Sequence, residues 1–459
     1  MGDIHFPDDF VKISIGISMS FVLLFIQRVK LSLMGRHLLL VLCAYCCLYM
    51  LLGAASGAYA QSPTSIQTLL PDAPSEYESG KESRNSGKSI RLIFVGDIMV
   101  HATQLEIAQS KGMYDFHPSF AAIRPWLNGD LVIGNFETVL GGAKLGFSGY
   151  PRFNSPDSLA AALRDVGFTT LFLANNHIYD HGIQAAKRTV DVLQTNNLSV
   201  TGLTGVCHSP LLIDVKGVRI GFFNYTYGSN APVKYHNTAS TSLNIIDKCR
   251  IVEDITSLRR QGADYIVATF HWGEEYTTEP SRAQRDIANY CLELGVDAII
   301  GTHPHVLQPI EVQRAGNKDC VIAWSLGNFI SSQRTLPRER SAILALDILP
   351  ATGGAYLHRV SVAPTWVDLS RPRKVARVLP AVTGFFSPSA SDQQVTYLDV
   401  QKSDSPNKIS PISVEKNIAS KLFDVELSIR TFWDLPTFPD EQGFYSIYEY
   451  ERNELLLSK

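Results

Sequence analysis

The sequence predicts an α/β layered domain whose buried strands run mainly parallel. Short apolar, β-rich runs recur along the chain, and each ends in polar residues. Patterns of helical period lie between those runs, which is the alternation expected of strands crossed over by helices. Size and composition agree: 459 residues with 45% hydrophobic, 10% aromatic and 19% charged side chains provide for a packed core and exclude a disordered or collagen-like chain. A formal net charge of −3 gives no reason to expect nucleic acid as a partner. An acidic polymer would need a local basic patch, which net charge does not reveal.

Taken in order, the chain opens with an export pattern. After Met34, Arg36 and His37 form a short basic start, residues 38–52 are apolar, and Ala58-Tyr59-Ala60 is a small-x-small cleavage site before Gln61. The apolar core is shorter than the ~20 residues of a comfortable membrane span. A second apolar stretch, 13–26, lies upstream, with Arg28 and Lys30 between the two. Residues 1–60 are therefore expected to be an export signal or an N-terminal membrane anchor, with 1–33 either a weak anchor or an over-extended start. Cleaved export is favoured, and either way the body of the protein is expected outside the cytoplasm, periplasmic or at the cell surface. Residues 61–88, rich in Ser, Pro, Gly and Glu, read as a flexible linker.

The domain is expected over residues 89–379. Runs at 90–95, 131–133, 170–174, 265–270 and 298–301 read as strands, and patterns at 118–127, 158–166, 183–196, 246–261 and 282–294 as helices. Residues 210–223 read as a hairpin turning at Lys216-Gly217. Later strands near 321–324 and 342–349 make the sheet mixed. Beyond Leu379 the Ser/Asp/Gln-rich stretch to 411 reads as an irregular linker. The tail 412–459, with a short helical pattern and an aromatic cluster, reads as an appendage of unknown role, too short for a core of its own. Of seven cysteines, three lie in the export segment. Cys207, Cys249, Cys291 and Cys320 lie beyond it, and export leaves open both disulfides in any of three pairings and buried free thiols.

In an α/β sheet, polar residues just past the carboxyl ends of the strands converge at one edge. Gly96-Asp97 follows the first run, Asn135-Phe136-Glu137 the second, and Asn175-Asn176-His177 with Asp180 the third. Later come His271 with Glu275, His303-Pro304-His305, and Ser325 to Asn328. Carboxylates and neutral imidazoles are ligands for divalent metals, and a metal there would polarise an ester or amide oxygen or acidify a water. Each residue also has a plainer reading, as a helix cap, a turn or a structural histidine. The His303/His305 pair is the strongest single signal, because alternating residues share a side and the proline fixes the loop.

Gly-Asp after the first strand, Asn-Phe-Glu, Ala-Asn-Asn-His-x-x-Asp-x-Gly, His-Trp-Gly-x-Glu-Tyr, Gly-x-His-Pro-His-Val and Ser-Leu-Gly-Asn-Phe occur here in one order. That set resembles the bacterial capsule synthesis CapA family, associated with poly-γ-glutamate synthesis or export. The resemblance implies an α/β calcineurin-like metallophosphoesterase-type sandwich, two mixed sheets flanked by helices. It implies Asp97, Glu137, Asn176, His271, His303 and His305 as metal ligands, with Glu137 in the bridging carboxylate's place. His177 would be the catalytic residue that stabilises or protonates the leaving group, with Asn175, Asp180, Glu275 and Asn328 as other residues of the cleft. The phosphoesterase pattern begins Asp-x-His, whereas Met99 stands at that histidine position here, a Glu replaces the bridging Asp, and His101 is spaced differently. One of two metal positions is therefore expected to be weak or absent.

Three functions follow as expectations. The first is a part in capsule or poly-γ-glutamate production or export with a metal-dependent hydrolase-like site, the cofactor being manganese, zinc or iron. The second is a metal-dependent phosphoesterase acting on an exported phospho-substrate. The third is a non-catalytic module that binds an acidic polymer while membrane polymer-synthase components do the synthesis.

Overall fold

The computed structural model describes residues 88–449 except 206, 208, 232–236, 239–240, 336, 372–373, 382–385, 389–393, 398–411, 434 and 436–438. The chain divides into two compact units, Met1–Gly80 and Lys81–Lys459, and all described residues belong to the second. The expected export segment lies outside the described residues. Among those described, no helix is long and apolar enough to cross a membrane.

In chain order the elements that build the site are β1 (Ile90–Ile98), α1 (Ala102–Ala108), β2 (Leu131–Phe136), α2 (Ser158–Val166), β3 (Thr170–Phe172), α3 (Gly182–Thr195), β4 (Ser199–Thr201), β5 (Leu211–Val215) and β6 (Val218–Thr226). Then follow α4 (Lys248–Arg260), β7 (Tyr265–His271), α5 (Arg282–Glu293), β8 (Ala298–Thr302), β9 (Ile310–Ala315), β10 (Lys318–Ala323) and β11 (Asn328–Ile330). The last are β12 (Arg340–Ala351), β13 (Gly354–Ser370), β14 (Val375–Pro380), α6 (Lys416–Trp433) and β15 (Tyr445–Glu449).

Two mixed sheets result. The first has the order β14-β13-β12-β1-β2-β3-β4, with β11 beside β1 and β15 beside β13; the second runs β9-β10-β8-β7-β6-β5. Within the first, β1 to β4 are parallel, while β12 joins β1 antiparallel. Within the second, β6, β7, β8 and β10 are parallel, with antiparallel strands at both edges.

The period of two along each strand explains the layering. Leu92 and Phe94 of β1 enter an apolar core with Phe172, Phe222, Val267, Ile300 and Val321, so that core draws on both sheets. Ile93 and Val95 point the other way, into a core shared with Leu163 of α2 and Val190 of α3. On β7 the split repeats: Tyr265 and Val267 join the first of these cores, and Ile266, Ala268 and Phe270 pack with Ile255, Leu258 and Cys291 of α4 and α5. Helices therefore cover the outer faces, and the expected sandwich of two mixed sheets is what the chain forms.

Several expectations are corrected. The helix read at 118–127 is two short pieces, His117–Phe120 and a 3-10 turn Arg124–Leu127; Pro125 has no N–H to continue a helical ladder. The hairpin at 210–223 does turn at Lys216-Gly217, but its second strand runs on to Thr226. Residues 380–411, read as irregular, include strands Phe386–Pro388 and Gln394–Tyr397, paired antiparallel. In the tail, β15 pairs with β13, and Leu422, Val425 and Ile429 of α6 are buried in the same core as Phe94. Cys207, Cys249, Cys291 and Cys320 are free thiols; burial pushes Cys291 and Cys320 up, to about 12 and about 11.

Candidate metal centre

The carboxyl ends of the parallel strands supply the site, and the register brings its parts level. Asp97 on β1 lies beside Asn135 on β2 and Asn328 on β11. On the second sheet His271 lies beside Thr302. The β1–β2 register slips between Val95 and Asp97, an irregularity of the kind that re-aims a side chain at a strand end. Glycine makes the approach possible: a Cβ on Gly96 would stand 1.9 Å from the Gly327 carbonyl oxygen, and the Asp97 N–H donates to that oxygen at 2.9 Å. His303 and His305 hold φ of 97° and 57°, a left-handed conformation that is strained in non-glycine residues and collects at functional sites.

Asp97, Glu137, Asn176, His271, His303 and His305 are brought together and are all buried. His305 Nδ1 lies 3.0 Å from Asp97 Oδ2, and the Asn135 amide donates to Asp97 Oδ1 at 2.8 Å. His271 Nε2 is 3.0 Å from Asn176 Oδ1 and 3.6 Å from Glu137 Oε1. Three groups of residues place one ligand atom each within 4.8 Å of one another: Glu137, His271 and His303; Asp97, Glu137 and His305; and Glu275, His303 and His305. Glu137 is common to the first two.

The electrostatics fit a cation. Among the described residues neither Asp97 nor Glu137 pairs with a lysine or arginine; their ion-pair partners are histidines. Burial, and then the Asp97 charge, hold the Glu137 carboxyl well above its usual range. Burial, reinforced by the other imidazoles, pushes His271 well below 6.5 and His303 down to about 4, so both are neutral donors at pH 7. Glu137 Oε1, His303 Nδ1, Asn135 Oδ1 and Asn328 Oδ1 are buried without a hydrogen-bond partner among the described residues. Buried carboxylates without a lysine or arginine beside them are unfavourable, and orphaned polar atoms are rare in native interiors. Both conditions are relieved by a divalent cation with oxygen and nitrogen ligands.

Beside this cluster His177 Nδ1 lies 2.8 Å from Asp180 Oδ2, and its Nε2 lies 3.4 Å from the Asn230 amide. Asp180 also accepts from the Phe153 N–H, and the Phe153 ring meets His177 edge-on at 4.7 Å. Asn175 braces the loop, accepting from the His177 N–H and donating to the Phe136 carbonyl. Glu275 is exposed at the rim. Asn328 donates to the His305 and Arg338 carbonyls. Met99 is 1% exposed in the apolar core, so its position brings no imidazole or carboxylate to the cluster. His101 lies near enough for His305 and His177 to act on it, and burial is the main cause of its fall to about 4.

Three residues of the site have no role assigned from sequence, Asn135 appearing there only beside Glu137 at the end of its run. Asn135 shares the β2 face with Glu137, two positions on, which a period of two would have exposed. Tyr227 caps β6, stacks on His271 and lies 4.6 Å from His303; ending that strand at 223 hid it. Thr302, 3.1 Å from His271 Nδ1, sits one residue before His303 and carries no signal of its own.

Capsule biosynthesis protein CapA of Bacillus anthracis is 30% identical over 302 residues, 64% of this chain and 71% of that one. PGA biosynthesis protein CapA of Bacillus subtilis is 28% identical over 344 residues, 71% and 87% of the two chains. Among solved structures, the calcineurin-like phosphoesterase YfkN of Bacillus subtilis aligns at a TM-score of 0.37 and 14% identity, covering 60% of this chain and 91% of that one. Residues 91–333, which contain all six candidate ligands, match the family described as bacterial capsule synthesis protein PGA_cap, and the chain belongs to that family.

Proposed function

We propose that this protein takes part in capsule or poly-γ-glutamate biosynthesis or export, outside the cytoplasm, and that its strand-end cluster is a divalent-metal site of hydrolase type. Family membership supports the capsule role, and the export pattern before residue 61 supports the location. The observation that carries the metal is the orphaned, buried pair Glu137 Oε1 and His303 Nδ1 amid carboxylates with no lysine or arginine partner. Asp97, Glu137, Asn176, His271, His303 and His305 would hold it. A bound manganese, zinc or iron ion supplies Lewis-acid polarisation of an ester or amide oxygen. His177 is the proton donor to the leaving group: Asp180 orients its ring through Nδ1, and a substrate would take the place of the Asn230 amide, 3.4 Å away, at Nε2. The neutral His271 and His303 are ready to ligate without first losing a proton.

Elemental analysis of the purified protein beside a His303→Ala/His305→Ala variant tests this. Stoichiometric metal in the wild type and its loss in the variant is the expected result; metal-free protein from a metal-supplemented preparation would overturn the metal site. The buried Met99 thioether, standing where the phosphoesterase pattern has a histidine, favours as second reading a module that binds an acidic polymer without turning it over. Unchanged capsule production in a His177→Ala strain would favour that reading.

A further inference from the structure

A loop between β11 and β12 brings a cation to the rim of the metal cluster. The Arg338 guanidinium carbon lies 3.4 Å over the centre of the Tyr276 ring. Among the described residues no carboxylate pairs with that guanidinium and no hydrogen bond engages it. Stacking uses the face of the guanidinium and leaves its in-plane N–H donors free, in the fork that matches a carboxylate.

The pair is tied to the metal ligands by backbone. The Tyr276 N–H donates at 2.7 Å to the carbonyl of Pro304, the residue between His303 and His305, and Tyr276 holds a φ of 67° to do so. Its ring lies 6.1 Å from the His305 ring. Asn328, fully buried, donates from one amide nitrogen to the His305 carbonyl at 3.3 Å and to the Arg338 carbonyl at 3.0 Å. One side chain therefore fixes the ligand loop and the arginine loop together. An unpaired arginine would be of no use to the cluster itself, because it repels a metal ion; it is of use to an anion lying across the rim.

We propose that Arg338, held over Tyr276, is an anion-binding subsite that grips a free carboxylate pendant from an acidic chain while an adjoining bond lies at the metal cluster. This deepens the polymer reading above and rests on it. An arginine fork takes two parallel hydrogen bonds to each carboxylate, so a γ-linked chain of glutamates, with one free carboxylate per unit, suits it.

Calorimetric titration of the whole protein with a γ-linked glutamate oligomer, and with the same oligomer carrying carboxamides instead of carboxylates, provides the test. Arg338→Ala should weaken binding of the acidic oligomer by about tenfold or more, leave the carboxamide oligomer unaffected and leave metal content unchanged. Arg338→Lys, which keeps the charge and loses the fork, should fall between. Tyr276→Leu, which removes the platform, should weaken the acidic oligomer in the same direction. Equal affinity of wild type and Arg338→Ala for the acidic oligomer would overturn the subsite and leave the polymer reading standing. Wild type that binds neither oligomer would overturn both. Arginine-dependent binding by protein without metal would support the subsite and remove the hydrolase part of the proposed function.

Discussion

Two clusters in this molecule are built from the same residue types and differ in nearly everything else. At the strand ends, Asp97, Glu137, His271, His303 and His305 are buried, and atoms of Glu137 and His303 lack partners. On the surface, His117 stands between Asp115 and Asp165, its ring nitrogens 2.7 and 2.9 Å from their carboxylates, with all three side chains at least half exposed. The surface triad is satisfied and solvated. Its shifts go the ordinary way: hydrogen bonds donated to Asp165 and Asp115 raise His117, and the N–H donors of His117 lower Asp115. In the buried cluster burial wins instead, raising Glu137 and lowering His271 and His303. Residue identity does not make a site; burial that leaves ligand-type atoms without partners does.

The sharpest way to break the comparison is the backbone beneath the buried cluster. Gly96→Ala puts a methyl group 1.9 Å from a backbone oxygen, and overpacking of this kind should destabilise by about 3 kcal/mol, read from the urea midpoint. Gly112, whose added Cβ would meet nothing within 4 Å but whose φ is +79°, should tolerate alanine better, at about 1 kcal/mol. Equal effects would mean that the Asp97–Gly327 contact is not what sets the edge.

Metal comes next. Manganese or zinc added at a hundred times its dissociation constant should stabilise the wild type by about 2.7 kcal/mol and the His303→Ala/His305→Ala variant not at all. A His117→Asn variant should respond like the wild type, which separates the buried histidines from the exposed one. A rise in melting temperature kept equally by all variants would point to metal bound elsewhere.

A third test uses the sign of the Glu137 shift in metal-stripped protein. Its folded pKa lies above the 4.5 of an ordinary glutamate, so the folded chain keeps a proton that the unfolded chain releases. The stability tied to that proton is complete below 4.5 and declines as pH rises through the folded value. Glu137→Gln carries no such titration. The stability of the variant relative to wild type should therefore grow between pH 4.5 and 7, by about 1–3 kcal/mol, as followed by urea unfolding in chelator. With metal bound the order should reverse, because the glutamine gives up a charged ligand.

How much of this could be read from the chain follows from locality. Asp97, His271 and His303 each stand within two residues of the end of an apolar run, and Glu137 within four, and a strand end is visible in one dimension. Ser158–Val166 was legible to the residue because its apolar spacing and the glycine after it, Gly167 with φ 125°, act within a single helix. What escaped depends on partners far along the chain. The 17 residues of β13 are one strand because β12, β14 and β15 all pair with it, and no periodicity in 354–370 announces three partners. Arg338 lies in a loop with no repeating pattern, and its place over Tyr276 is decided by Asn328 and Pro304.

The smallest effect belongs to the surface triad, and it is the control for the rest. His117 has a folded pKa raised above 6.5, chiefly by its hydrogen bond to Asp165 and then by that to Asp115. The stabilisation is therefore full below 6.5 and disappears as pH rises through the raised value. Solvent screens a half-exposed pair, so His117→Asn should cost about 0.5 kcal/mol at pH 5.5 and nothing measurable at pH 9, compared by urea unfolding at the two pH values. High salt should erase the difference. A loss above about 2 kcal/mol, or one that persists at pH 9, would mean that packing rather than charge holds His117. The contrast between a solvated triad and a buried cluster would then rest on something other than electrostatics.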